Sequence, residues 1–341
     1  MAELPTVTGR PRQLTRPPRL SRGSTLAVVS PAGSAAARFP DRLERGFRAL
    51  RRKGWGIKEM PNVRSCSGAT AGTPEQRAAD LNEAFCDPSV DGIICSIGGT
   101  GSREIIPLLD FEMIRKNPKV FCGYSDVTFL HVALSNFAEM VTFYGPAVLP
   151  DWAEIPDVAA ETADSFMSLT TRPLPHGEIR TPDWEVVEPG DWSNDRFRRF
   201  APAPGPSVIV EGSAEGILVG GCLPVLRAAL TTSWRPKTSD AVVFCEFPQA
   251  PYDLDDAEDD LAALADAGFF TQARAVVFGR PFLGRRRSEW EHLIRKACAG
   301  WHYPVIFGIA SGHTIPNLTL PLGVEVRVSG STLSILEPAV R

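Results

Sequence analysis

Three short apolar runs in the first half of the chain each end in a turn of small residues, and helical periodicity fills the gaps between them. Ser24–Ser30 leads into Pro31-Ala32-Gly33, Gly92–Ile97 into Gly98-Gly99-Thr100-Gly101-Ser102, and Lys119–Cys122 into Gly123-Tyr124-Ser125. The first gap carries Phe39, Leu43, Phe47 and Leu50 at helical spacing with Gly54 as a stop. A second helix opens at Thr73-Pro74 and turns Ala78, Leu81 and Phe85 inward. Strands this apolar need cover on both faces, which strand-helix alternation supplies in a parallel sheet. Sustained to Tyr144, the alternation predicts an α/β fold.

Open α/β sheets bind ligands at the carboxyl ends of their strands. The third turn puts a hydroxyl there. Gly123 tolerates an unusual backbone angle, Ser125 sits at the bend, and Asp126 can cap a helix whose apolar positions are Phe129, Val132, Ala133 and Leu134. Val127 stands where a Gly-x-Ser-x-Gly elbow has its second glycine, so a plain Ser-Asp helix cap is the competing reading. The glycines at 98–101 lack both the Lys-Ser/Thr of a phosphate loop and the spacing of a dinucleotide fingerprint. They read better as backbone N–H groups bared beside Ser125, which is what an oxyanion hole needs.

Prolines crowd the segment from Pro150 to about Ser213, tryptophans stand at 152, 184 and 192, and only Ala159–Leu169 reads as a helix. A stretch of this kind is expected to be an interdomain crossing or a lid over substrate. A second α/β unit follows, with strands at Gly216–Gly221, Ala241–Glu246, Ala275–Phe278 and Pro304–Ile309 and helices at Leu223–Leu230, Leu254–Ala267 and Glu289–Cys298. Glu246 closes a wholly apolar strand; buried there, its carboxylate needs a cationic or hydrogen-bonding partner, and exposed it needs none. His313 follows a strand and a glycine in a loop bounded by Pro316, the best setting for a general base among the five histidines. The acids from Asp253 to Asp260 suit a helix N-terminus better than a metal. Ser125, Glu246 and His313 would together supply the nucleophile, carboxylate and base of an acyl-transfer site, although sequence alone does not bring them together.

At 341 residues with 43% apolar content the chain exceeds most single cores. The expected parts are an N-terminal arm over 1–23, an α/β domain with the nucleophile over 24–150, a Pro/Trp-rich linker or lid over 151–212, and a C-terminal α/β domain over 213–341. A net charge of -4 leaves no electrostatic footprint for nucleic acid, and Arg285, Arg286 and Arg287 are a short cluster, not a face. The seven cysteines are scattered and form no Cys-x-x-Cys pair, which indicates a reducing compartment without structural zinc. The Pro- and Arg-rich start has no apolar core, and no later run reaches about 18 apolar residues, so a cytoplasmic protein with no membrane partner is expected.

Gly98-Gly99-Thr100-Gly101-Ser102, Gly123-Tyr124-Ser125-Asp126-Val127-Thr128, Gly220-Gly221, Glu246 and Gly312-His313-Thr314-Ile315-Pro316-Asn317, in that order, resemble the LD-carboxypeptidase and microcin C immunity peptidase family. The resemblance implies Ser125 as nucleophile, Glu246 and His313 completing a triad, and an oxyanion hole from the backbone N–H groups of Gly99 and Asp126 with Gly98 beside the substrate. It implies no metal, no cofactor and a homodimer. The substrate would be a small peptide or an aminoacyl-nucleotide-like compound. Cys222 stands where the family usually carries a substrate-contacting Asn, and Asp191-Trp192-Ser193-Asn194-Asp195 looks like the immunity branch, whose loop tryptophan stacks on a base. Trp192 is the first candidate for that contact and Trp184 the second. An acyltransferase using the same three residues and a non-catalytic small-molecule binding protein are the readings from other classes.

Overall fold

The computed structural model describes residues 14–188, 191–193, 198–282 and 286–341. The start of the arm, Asn194, Asp195 and Arg285 lie outside them. Among the described residues the chain adopts the expected α/β architecture around two large sheets. The first has six strands in the order Leu320–Leu322, Thr142–Tyr144, Val120–Gly123, Gly92–Cys95, Thr25–Val29 and Gly56–Glu59. The five from the first half of the chain pair in parallel. The helix Pro74–Cys86 opens on a capping box closed by Thr73 and Gln76 and buries Ala78, Leu81 and Phe85, as their spacing predicts.

The sixth strand comes from the other end of the chain. Leu320–Leu322 pairs antiparallel with Thr142–Tyr144. The loop carrying His313 therefore starts from Val305–Ile309 in the second sheet and ends in the first, so each sheet fixes one of its ends.

The second sheet has eight strands. Ser213–Cys222, Ala241–Glu246, Ala275–Gly279 and Val305–Ile309 form its parallel centre. Antiparallel strands Glu325–Ser329, Thr332–Ile335 and Gly177–Glu178 extend one side and Ser207–Val210 the other. The Pro-rich segment is thus more regular than its sequence suggests. It supplies both edge strands of this sheet, and Trp184–Val186 pairs with Phe200–Pro202 in a two-stranded ribbon. Proline is excluded from central strands and tolerated at edges, so its density hides short edge strands from a sequence reading. Arg280, fully buried at the end of Ala275–Gly279, donates to the carbonyls of Trp184 at 3.1 Å and Pro182 at 2.8 Å and pins the ribbon to the sheet. Among the described residues no helix is long and apolar enough to cross a membrane.

Candidate active site

Val120–Gly123 lies in the middle of the first sheet, and Ser125 stands just beyond its carboxyl end. The serine has φ +67°, a left-handed conformation that costs a residue with a Cβ about 1–3 kcal/mol and persists only where its surroundings hold it. Its N–H donates to the Tyr144 hydroxyl at 3.0 Å. Asp126 does not cap its own helix. Its carboxylate accepts the Ser102 N–H at 2.8 Å and its carbonyl accepts the Ser102 hydroxyl at 2.6 Å, which ties the glycine turn to the serine turn. Burial raises the Asp126 carboxyl above its ordinary value despite those donors. Its N–H belongs to the first turn of a 3-10 helix, Ser125–Val127, where donors have no partner within the helix. Gly98 packs directly on the serine: a Cβ there would lie 2.7 Å from Ser125 Cβ and 2.9 Å from the Tyr124 carbonyl oxygen.

The opposing side comes from the second sheet. Glu246 ends Ala241–Glu246 and is fully buried. Its Oε2 accepts from His313 Nδ1 at 2.8 Å and from the His313 backbone N–H at 3.2 Å, and its Oε1 accepts from the Tyr144 hydroxyl at 2.6 Å. Burial by itself would push this carboxyl up, but the combined pull of His313 and Tyr144 holds it below the ordinary value. Gly312 is required at its position because a Cβ there would lie 2.5 Å from Glu246 Oε2, and its φ is +101°. Tyr124 packs edge-on to the imidazole with ring centres 5.1 Å apart.

Tyr144 therefore accepts from Ser125 and donates to Glu246, giving a continuous chain from the serine through the tyrosine and glutamate to the histidine. Nothing in the sequence singled it out. It ends the strand next to the one that presents Ser125, and that adjacency is the signal that could have found it. His131, on the helix Thr128–Ala133 that follows the serine turn, is a second support. Its ring nitrogens lie 2.9 Å from the Gly123 carbonyl and 2.9 Å from the Thr142 hydroxyl, and burial holds its pKa down at about 4.

A cavity of about 420 Å³ opens at this chain, with His313, Tyr124, Ile97, Asp151, Trp192 and Arg198 among its walls. Trp192 packs edge-on to Phe39, ring centres 5.3 Å apart, under the Arg42 guanidinium at 4.6 Å. Arg42 and Arg198 converge on the buried Glu154. Burial pushes the Asp151 carboxyl up to about 7, although it accepts from the Ala147 N–H at 2.9 Å and faces the Asn317 amide.

Two family descriptions match the chain: LD-carboxypeptidase N-terminal domain over residues 26–145, and LD-carboxypeptidase C-terminal domain over residues 215–328. The chain belongs to the LD-carboxypeptidase family of peptidases. Within that family it is similar to the Escherichia coli "Microcin C7 self-immunity protein MccF", 29% identical over 93% of this chain and 94% of the relative. It is 28% identical to the Bacillus subtilis "Probable murein peptide carboxypeptidase" over 92% and 91% of the two chains. A solved structure of MccF in complex with aspartyl sulfamoyl adenosine superposes with a TM-score of 0.87 at 26% identity, covering 96% of this chain and all of the other.

Of the positions that resemblance to the family singles out, Ser125, Glu246 and His313 are joined through Tyr144, Asp126 and Gly98 adjoin the serine, and Trp192 lines the cavity. Gly99 sits in the same turn with φ +108°, against Gly33. Trp184 lies elsewhere, in the ribbon, where its indole N–H donates to Glu161 at 2.8 Å and its ring packs on Phe200. Cys222 is buried on the Glu246 side, and its N–H donates to Thr128 Oγ1 at 3.0 Å. Among the described residues, Cys222, Glu246 and His313 form the one group of three side chains able to hold a metal ion, their donor atoms within 4.8 Å of one another.

Proposed function

We propose that this member of the family is a serine amidase that cleaves an acyl group from a nucleotide-like body. The observation that carries the reading is the hydrogen-bonded chain from the strained Ser125 turn through Tyr144 and Glu246 to His313 Nδ1. With Nδ1 donating to a carboxylate, the proton-free Nε2 is the histidine's basic atom. Ser125 Oγ attacks the amide carbonyl while His313 Nε2 takes its proton, and Glu246 stabilises the imidazolium. The N–H groups of Asp126 and Gly99 receive the oxyanion. His313 returns the proton to the leaving nitrogen, and water then resolves the acyl-enzyme by the same steps in reverse order. Trp192 in the wall that also contains His313 favours a planar base on the leaving side over a murein peptide, in keeping with the nucleotide-like ligand of the MccF structure.

Mass spectrometry of products from wild type and Ser125→Ala, given an aminoacyl-sulfamoyl adenosine or a murein tetrapeptide, tests this. Release of the amino acid from the nucleotide by wild type alone is expected, with Ser125→Ala folded and down by about 10⁶-fold. Release of terminal D-alanine instead would assign a carboxypeptidase, and full activity in Ser125→Ala would remove the nucleophile assignment.

A further inference from the structure

Cys222 is the anomaly of the site, a buried thiol that the proposed hydrolysis does not use. Its Sγ, a Glu246 carboxylate oxygen and a His313 ring nitrogen all lie within 4.8 Å of one another. A tetrahedral zinc with bonds of about 2.0–2.3 Å holds its ligand atoms roughly 3.3–3.6 Å apart, so the three donors need move by little more than about 1 Å to close on an ion. The donor set suits a borderline-soft cation: thiolate, imidazole and carboxylate. The charges also balance, since one thiolate and one carboxylate neutralise a divalent ion in a pocket where uncompensated charge is costly. An outer layer is already present. The Tyr144 hydroxyl donates to Glu246 Oε1 at 2.6 Å, and the Cys222 N–H is held by Thr128.

We propose that Cys222, Glu246 and His313 form an inhibitory site for zinc or a cation like it, with water as the fourth ligand. The thiol proton leaves to solvent as the S–Zn bond forms. His313 Nδ1, now 2.8 Å from Glu246 Oε2, exchanges that hydrogen bond for the metal, and its proton moves to Nε2. An imidazole metallated at Nδ1 and protonated at Nε2 is in the wrong tautomer to accept the Ser125 proton. Occupancy therefore stops the reaction without blocking the cavity. The binding half stands on the three donors alone, and the inhibitory half rests on the amidase reading.

The metal-free full-length protein is titrated with Co²⁺ as a spectroscopic probe, then with Zn²⁺ in competition. A thiolate-to-cobalt charge-transfer band at one ion per chain, displaced by Zn²⁺ with release of about one proton, is expected. Ser125→Ala should keep the band, which separates binding from catalysis. Cys222→Ser should lose it and weaken zinc binding by about 10-fold or more. Cys222→Asn serves where the serine variant fails to melt as a folded protein. For activity, each variant's rate with Zn²⁺ is divided by its own rate without it. Wild type should fall by more than about 10-fold and recover with chelator, and the Cys222 variants should not respond. No band in wild type, or a band that survives both Cys222 substitutions, overturns the site. One-to-one binding with an unchanged rate overturns the inhibition. If wild type cleaves neither substrate while the band forms and depends on Cys222, the amidase reading fails and the metal site stands.

Discussion

The buried carboxyls on the two sides of the cleft are shifted in opposite directions. On the side built by the first half of the chain, burial lifts the carboxyls of Asp126 and Asp151 and keeps His131 neutral with a pKa of about 4. On the side built by the second half, Glu246 is as deeply buried, yet His313 and Tyr144 hold its carboxyl below the ordinary value. The difference lies in the partners. His131 meets a carbonyl and a hydroxyl, and Asp151 an amide N–H and a carboxamide, all neutral groups. Glu246 meets a histidine that can carry a full charge. The first side thus positions Ser125, the proposed nucleophile, by shape, through its strained backbone and the clearance at Gly98, and the second positions His313, the proposed base, by charge.

That contrast breaks most severely where charge is removed. Glu246→Gln keeps the shape but leaves an amide against His313 Nδ1, so the histidine can turn its tautomer. We expect a fall in kcat of about 10⁴-fold with little loss of folded protein, measured on whichever substrate wild type cleaves. Gly98→Ala changes shape alone. Its Cβ would sit 2.7 Å from Ser125 Cβ, so the serine must shift, and a displacement near 1 Å costs about 10²-fold in rate. A Gly98→Ala enzyme with wild-type kcat would show that clearance there is not what places the serine. Tyr144→Phe touches both sides, since it strips an acceptor from the Ser125 N–H and a donor from Glu246. At about 1–3 kcal/mol for the stranded groups, kcat should drop roughly 10–100-fold with KM nearly unchanged.

The shape side was the more legible in sequence. Its central strands are uninterrupted apolar runs, and the turns after them contain glycine, so Gly98 and Ser125 announce themselves by position. Glu246 and His313 were visible only one at a time, because the contact that defines them spans 67 residues and depends on how the strands order in the sheet. Tyr144 was invisible for a different reason: an aromatic in a strand reads as packing, and only its hydroxyl, placed by the neighbouring strand, gives it a role. Asp126 shows the limit of local rules. A Ser-Asp pair before a helix signals a cap, yet its carboxylate serves the neighbouring Ser102 turn because the two strand ends are adjacent in the sheet. The edge strands Gly177–Glu178, Ser207–Val210 and Leu320–Leu322 were lost for want of length and periodicity.

The smallest effect is on stability against pH, and it tests the neutral side by itself. Asp151 has a folded pKa of about 7 against an ordinary 3.8, so between those values the folded state keeps a proton that the unfolded chain has lost, and stability falls as pH rises. His131 has the reverse sign. From 6.5 down to about 4 the unfolded chain takes a proton that the folded one refuses, so stability rises with pH across that window. Each slope is at most about 1.36 kcal/mol per pH unit, and over the shared range the two oppose each other. Wild type should therefore show little net slope from these groups, and single variants should expose them in opposite directions. Asp151→Asn should gain stability as pH rises from about 4 to 6.5, and His131→Gln should lose it as pH rises from about 4 to 7, as read from urea midpoints converted with a common m-value. If both variants instead keep the wild-type profile, the two groups are not held neutral, and the contrast between the sides reduces to the charge on Glu246 alone.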